Sequence, residues 1–176
     1  MKIRHYIIAR HGVAVQFDDD RDAELLPSSA PFEVEEGKDE LLRIEVTREP
    51  LTEEWDEEIG QFDCGGACFG VYRMADGGYM YDVRDIDGTL CCRLRANADF
   101  THGRVQLIET SARRANYGLN NAYMLMYAFA TAPYQTLLMH SSVVSWGGKG
   151  YMFLGKSGTG KSTHTSLWLK YIAGSE

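Results

Sequence analysis

No stretch of this chain approaches the eighteen or more consecutive apolar residues that a membrane-spanning helix requires. The longest candidate, residues 122–130, is half that length. No secretory leader is expected either, because the apolar run over the first ten residues is broken by His5 and closed by Arg10, too short for a signal peptide's core. Cysteine is scarce: Cys64, Cys68 and the adjacent pair Cys91-Cys92 are the only four. The C-x₃-C spacing with Gly65-Gly66 between fits a zinc site poorly, and adjacent cysteines on a strand point to opposite faces. These thiols read as buried and reduced, with a zinc site from Cys64, Cys68 and one of the pair as the alternative. Together these features predict a cytoplasmic chain that spans no membrane.

Basic residues are also in short supply, 18 against 25 acidic ones, for a formal net charge of −7. The deficit is local. Between Asp18 and Asp63 there are eighteen acidic and four basic residues, a balance of −14, so the remainder carries +7. Phosphate backbones would be repelled by such a segment, which argues against a nucleic-acid binder and for a solvated loop surface. Residues 18–38, rich in Asp, Glu, Pro and Ser, form the best candidate for a loop or mobile stretch.

What is present reads as an α+β, mixed chain in two regimes. With 176 residues and 44% hydrophobic content there is material for one core and a small second one. From Met1 to about Glu109 the pattern is β, with strands expected over 3–9, 12–17, 41–46, 68–74, 79–83, 89–95 and 105–108. Asp76-Gly77-Gly78 and Asp87-Gly88 punctuate the middle of this run as hairpin turns, so residues 68–95 should be an antiparallel meander. An antiparallel β-rich domain is therefore expected over 1–110, and a second domain over 111–176.

Past Ser111 the spacing of Leu119, Ala122, Tyr123, Met126 and Phe129 or Ala130 predicts a buried helix, capped by Asn116 and stopped by Pro133. A strand over 136–146 follows, then a glycine turn at 147–150, then the apolar run 151–154. A turn that short joins antiparallel neighbours.

Residues 155–163 read Gly-Lys-Ser-Gly-Thr-Gly-Lys-Ser-Thr, a complete Walker A phosphate-binding loop. A strand precedes it and a helix over 161–172 follows, with Leu167, Trp168, Tyr171 and Ile172 available to pack. This spacing makes sense as a nest of backbone N–H groups around a triphosphate. Gly155, Ser157, Gly158, Thr159 and Gly160 would shape the nest, Lys161 would reach the β/γ oxygens, Ser162 would place its hydroxyl on Mg²⁺, and Thr163 would meet the α-phosphate. His164 reads as an exposed helix residue. Arg113 and Arg114 are the strongest remaining basic pair, open to a phosphate or an acidic substrate.

In most P-loop folds the strand entering the loop has parallel neighbours, whereas here an antiparallel partner comes immediately before it. On this point, and on Gly155, Ser157, Gly158, Gly160, Lys161 and Ser162, the chain resembles the HPr kinase/phosphorylase family and the related ATP-dependent phosphoenolpyruvate carboxykinases, whose loop has the form G-x-S-G-x-G-K-[ST]. The segment Met139-His140-Ser141-Ser142-Val143-Val144 looks like the His-led strand of those kinases. The resemblance covers about 136–172 and implies an incomplete kinase-like nucleotide-binding core, with His140 touching the transferring phosphoryl group. A hydrogen-bonded histidine in a buried strand is the other reading of His140.

Those families carry an acidic pair on the strand beyond the loop's helix, and no such strand follows here. The chain is therefore expected to be the front portion of a kinase-like protein, either self-associating or leaving 162–176 poorly ordered. The expected activity is phosphoryl transfer from ATP, or another nucleoside triphosphate, with Mg²⁺, to a hydroxyl of a protein or small molecule. The alternatives are a nucleotide sensor that binds a partner without turnover, and a carboxykinase-like enzyme.

Overall fold

Alternation of apolar and polar residues along successive strands builds one large sheet. The computed structural model describes residues 1–63, 68–108 and 111–176. Nine strands, β1 (Lys2–Ile8), β2 (His11–Phe17), β3 (Glu33–Val34), β4 (Glu40–Thr47), β5 (Glu57–Asp63), β6 (Cys68–Arg73), β7 (Tyr79–Arg84), β8 (Leu90–Ala96) and β9 (His102–Leu107), lie in the order β3-β1-β2-β4-β9-β8-β7-β6-β5. In β4, Leu42, Ile44 and Val46 are buried while Arg43 and Glu45 are partly exposed, which is how a sheet with one covered face is written.

A single long helix covers that face. α1 (Ala112–Thr131) buries Ala115, Leu119, Ala122, Tyr123, Met126, Tyr127 and Ala130, a stripe at three- and four-residue spacing. These side chains meet Val15, Ile44, Val83, Leu94 and Val105 from the sheet in one core. Fully burying a side chain such as Leu119 contributes about 2–3 kcal/mol. Gly118 brings the helix close to β8: a Cβ there would lie 3.0 Å from Cys91 Cβ and 3.1 Å from Cys92 Cβ.

The face away from α1 carries a small second cluster of Leu51, Met74 and Met80 and an ion-pair group. Asp82, almost fully buried, takes Arg93 Nε at 2.7 Å and Arg84 Nη2 at 3.4 Å.

Several expectations need correction. The sheet is mixed, because β2 pairs parallel with β4 and β4 parallel with β9, while every other pairing is antiparallel. The crossover between β2 and β4 is the stretch expected to be a solvated loop. It contains two 3₁₀ turns, Asp20–Leu25 and Pro27–Phe32, and the short strand β3, and it sends Ala23, Leu25 and Leu26 into the core. Asp22 is buried there because Arg48 clamps it, Nη2 to Oδ1 at 2.7 Å and Nε to Oδ2 at 3.0 Å.

Strand β5 also lies in the acidic run. Most of its residues are exposed, so it shows no one-sided alternation. Finally, α1 begins seven residues before Leu119, and Ser111 caps it by accepting from Arg114 N. Asn116 instead donates from Nδ2 to the Leu25 carbonyl at 2.6 Å, tying the helix to the crossover.

The 68–95 meander is as expected, β6, β7 and β8 pairing antiparallel. Both Cys91 and Cys92 are fully buried, and burial pushes the Cys92 thiol far up from its ordinary value. Cys64, Gly65, Gly66 and Glu109, on which the zinc alternative and the end of the β regime rest, lie outside the described residues. Among the described residues no helix is long and apolar enough to cross a membrane.

The chain divides into two units, Met1–Leu137 and Leu138–Glu176. Helix α1, expected to open the second domain at 111, packs within the first unit. The second unit holds a two-stranded antiparallel sheet, β10 (Ser142–Trp146) and β11 (Lys149–Phe153), and the helix α2 (Lys161–Tyr171). The expected hairpin is present but tighter. Only Gly147 and Gly148 form its turn, at φ 58° and 72°, the left-handed pair that a two-residue type I′ turn demands.

Within 162–176, α2 runs to Tyr171 and a turn follows. Trp168 packs on Tyr151 and Phe153, with ring centroids 5.0 and 5.6 Å away. After α2, Ser145 and Glu176 exchange backbone hydrogen bonds of 2.6 and 2.9 Å, so the chain returns to pair beside β10. Leu167 and Tyr171, expected to pack, are exposed.

Candidate functional site

The candidate site is where β11 ends and α2 begins. Register sets its walls. Ser142 pairs with Phe153, Val144 with Tyr151 and Trp146 with Lys149. Along β10 the side chains of 142, 144 and 146 share a face. Val144 is fully buried, and Trp146 Nε1 donates to Ala173 O, just past α2, at 3.1 Å. That face is therefore the one α2 covers, and Ser142 stands on it at the end nearest the loop.

The loop between β11 and α2 turns on two left-handed glycines, Gly158 at φ 82° and Gly160 at φ 85°. Alternating such residues with ordinary ones points successive amides into one concavity, the nest geometry that prefers an anion. Thr159 braces the turn: its Oγ1 donates to Lys156 O at 2.8 Å, and its N–H reaches the same oxygen at 3.3 Å. Lys161 crosses the loop, Nζ donating to Gly155 O at 2.8 Å and Lys156 O at 3.1 Å.

Helix α2 supplies the field. Its N-cap, Gly160, offers no side-chain acceptor, and the first helical bond outside the loop is His164 N–H to Gly160 O at 2.9 Å. The amides of the first turn thus have neither a preceding turn nor a capping side chain, unlike those of α1 under Ser111. A helix start left open in this way carries partial positive charge aimed at whatever occupies the cavity.

The cavity measures about 440 Å³ and is lined by Ser157, Gly158, Gly160, Lys161, Ser162 and Thr163 on the loop side and by His140, Ser141 and Ser142 on the other. Of the residues the sequence singles out, eight are Walker A positions. Six of these line the cavity, while Gly155 and Thr159 stand behind it, Gly155 offering its carbonyl to Lys161 and Thr159 bracing the turn. A Cβ at Gly155 would meet Thr159 Oγ1 at 2.8 Å, which explains the glycine there.

His140 lines the cavity, precedes β10 and is exposed, which removes the reading of it as a buried-strand residue. His164 is exposed, as expected, and its Nε2 accepts from Trp168 Nε1 at 3.2 Å. Arg114 is engaged elsewhere, with Nε on Asp85 Oδ2 at 2.8 Å and Nη2 on Asp87 Oδ2 at 3.4 Å. Ser141 and Ser142 are the lining residues that sequence reasoning passed over. Their signal was available in the alternation of Ser142 with Val144 and Trp146.

For a divalent cation, Ser162 is the one lining hydroxyl at the helix start that the loop pattern assigns to this task. Among the described residues no cluster of three His, Cys, Asp or Glu could hold a metal by itself. That donor set fits Mg²⁺ arriving with a polyphosphate, since the ion keeps several waters and takes most other ligands from phosphate oxygens. Comparison of the chain with protein-family models, with curated proteins and with solved structures returned no significant match.

Proposed function

We propose that this protein binds a magnesium–nucleoside triphosphate, ATP in the first instance, and passes its terminal phosphoryl group to a hydroxyl, in the manner of an HPr-kinase-like phosphotransferase. The observation that carries this reading is the uncapped start of α2 facing a cavity whose loop is curled by Gly158 and Gly160 and crossed by Lys161. Phosphoryl transfer asks little covalent chemistry of a protein. It asks for positioned donors and positive charge, which amides, an ammonium and a helix terminus supply.

In this reading the first-turn amides and Lys161 hold the β- and γ-phosphates, and Ser162 contributes its oxygen to Mg²⁺. The ion neutralises charge on the phosphates when bound. Thr163 lies one residue further along the helix, toward the α-phosphate. His140, which lines the other side of the cavity, would meet the γ-phosphate end.

A second reading is favoured by one feature of the lining. No Asp or Glu is among the described residues that border the cavity, so the familiar carboxylate base is not supplied from these walls. Binding without rapid turnover, as in a nucleotide sensor, is consistent with such a lining.

Calorimetric titration of the full chain with Mg-ATP, Mg-ADP and AMP tests the common core of both readings. Affinity should fall in that order, because the cup recognises the phosphate chain. Equal affinity for AMP and Mg-ATP would refute it. Steady-state release of ADP then separates enzyme from sensor.

A further inference from the structure

Ser142 is a nucleophile-bearing side chain facing a phosphate cup, with an imidazole two residues before it on the same wall. We propose that the chain phosphorylates itself on Ser142, using His140 as the base. The inference rests on the nucleotide reading above and adds to it the identity of one phosphoacceptor.

Three observations support it. First, the β10–β11 register sets Ser142 opposite Phe153, the last residue of the strand that feeds the loop. Second, Ser142 shares the α2-facing side of β10 with the buried Val144, so its hydroxyl is turned toward the helix whose first residues are Lys161, Ser162 and Thr163. Third, His140, Ser142, Lys161 and Ser162 line one cavity of about 440 Å³, large enough for a polyphosphate and small enough to hold its end against the wall. Nucleophile, base and charge-stabilising donors around one void are the arrangement that activates a serine.

In the step itself, Ser142 Oγ attacks the terminal phosphorus of Mg-ATP. The Oγ–P bond forms as the bond from that phosphorus to the β-phosphate bridging oxygen breaks. Mg-ADP leaves with the bond's electron pair, and the hydroxyl proton passes to the His140 imidazole and from there to water. Ser141 also lines the cavity, but it precedes the strand, whereas the alternation that aims 142 at α2 is fixed by β10. The product would be a phosphoserine seated where the γ-phosphate had been, so each molecule reacts once and blocks its own cup. With His140 taking the proton the step needs no carboxylate, which agrees with the cavity lining.

The test is incubation of the full chain with Mg-ATP, with intact mass and fragment mass spectrometry, while Mg-ATP binding is measured separately by calorimetry. One phosphoryl group should appear on Ser142, at a rate per molecule independent of protein concentration. Ser142→Ala should lose the label, and Ser142→Thr, which keeps a hydroxyl, should regain it as phosphothreonine. His140→Gln should slow labelling about 100-fold or more, and Lys161→Ala, purified identically, should show none. Wild-type protein that binds Mg-ATP yet gains no phosphate, or gains it on Ser141 or elsewhere, overturns the inference and leaves the nucleotide reading standing. Failure to bind Mg-ATP at all removes both.

Discussion

The ammonium of Lys161 donates to the carbonyl oxygen of Gly155 at 2.8 Å, so the seventh residue of the loop is latched to its first. The same amino group also reaches Lys156 O at 3.1 Å. In this arrangement the lysine stabilises the loop's curl, and a polyphosphate must offer it better partners than two carbonyls. Charge-assisted contacts to phosphate oxygens do so.

Lys161→Ala removes both roles. Hydrogen bonds to a charged group contribute about 1.5–3 kcal/mol, so Mg-ATP affinity should drop about 10- to 100-fold. Titration calorimetry on both proteins measures it, and identical dissociation constants would sink the assignment.

Gly118→Ala tests the closeness of α1 to the sheet. In an exposed helix the change stabilises by about 1 kcal/mol. Here the new methyl would sit 3.0 Å from Cys91 Cβ and 3.1 Å from Cys92 Sγ. Overpacking should reverse the sign and cost about 1–3 kcal/mol, read as a lower urea midpoint. A rise in midpoint would mean the helix can shift at no cost.

Phe100 adopts φ 60° while its ring stacks on Phe129 at 4.5 Å and on Tyr79 at 5.4 Å. Left-handed backbone costs a non-glycine residue about 1–2 kcal/mol, whereas losing the ring costs about 3–5 kcal/mol. Both Phe100→Ala and Phe100→Gly should destabilise, with alanine the worse by about 1 kcal/mol because it keeps the strain. Chemical denaturation of the pair checks the order; glycine as the worse variant would contradict it.

Asp82 gathers Arg93 and Arg84 on the sheet face away from α1 and is itself only 4% exposed. Asp82→Ala leaves two guanidinium groups competing for water at a half-covered site. Breaking a pair whose carboxylate is this buried costs about 3–5 kcal/mol. Thermal denaturation gives the value, and a loss below about 1 kcal/mol would assign the pair to the solvent-screened class.

Burial, aided by Glu33 and Glu24 and opposed by Arg4, pushes the Tyr6 hydroxyl up to about 12 from an ordinary 10.0. Tyr81 is likewise raised to about 12 by burial, with Tyr79 adding to it. The folded state keeps these protons longer than the unfolded one, so their contribution is intact below pH 10 and is lost as pH rises toward about 12. Urea midpoints across that window should fall, and Tyr6→Phe should flatten part of the fall. A midpoint that holds steady over the same range would contradict the assignment.

The loop was legible because its chemistry fixes residue type at fixed spacing: Gly158, Gly160 and Lys161 occupy the geometry that their pattern demands. Hairpins marked by Asp87-Gly88 and Gly147-Gly148 were legible for the same reason, since few residues accept left-handed backbone. Other features were hidden because their causes are distant in sequence. The crossover 18–39 reads as solvated until Arg48 is brought to Asp22. The parallel register of β2 with β4 leaves no local mark. Strand β5 hides in its own charge, and the first turns of α1 hide because Arg113, Arg114 and Asn116 look like loop until Leu25 supplies a partner. The alternation of Ser142 with Val144 and Trp146 marks its face, but only the β10–β11 register brings that face to the loop.

The contact between Trp168 and His164 has a practical consequence. The Trp168 indole sits two helical turns along α2 from Lys161 and packs on Phe153 of the strand that delivers the loop, so any tightening of that loop alters the polarity around a natural fluorophore. Occupation of the cavity can then be followed optically and in real time on the unlabelled chain, with Trp168→Phe as the control that removes the reporter and leaves Trp55 and Trp146.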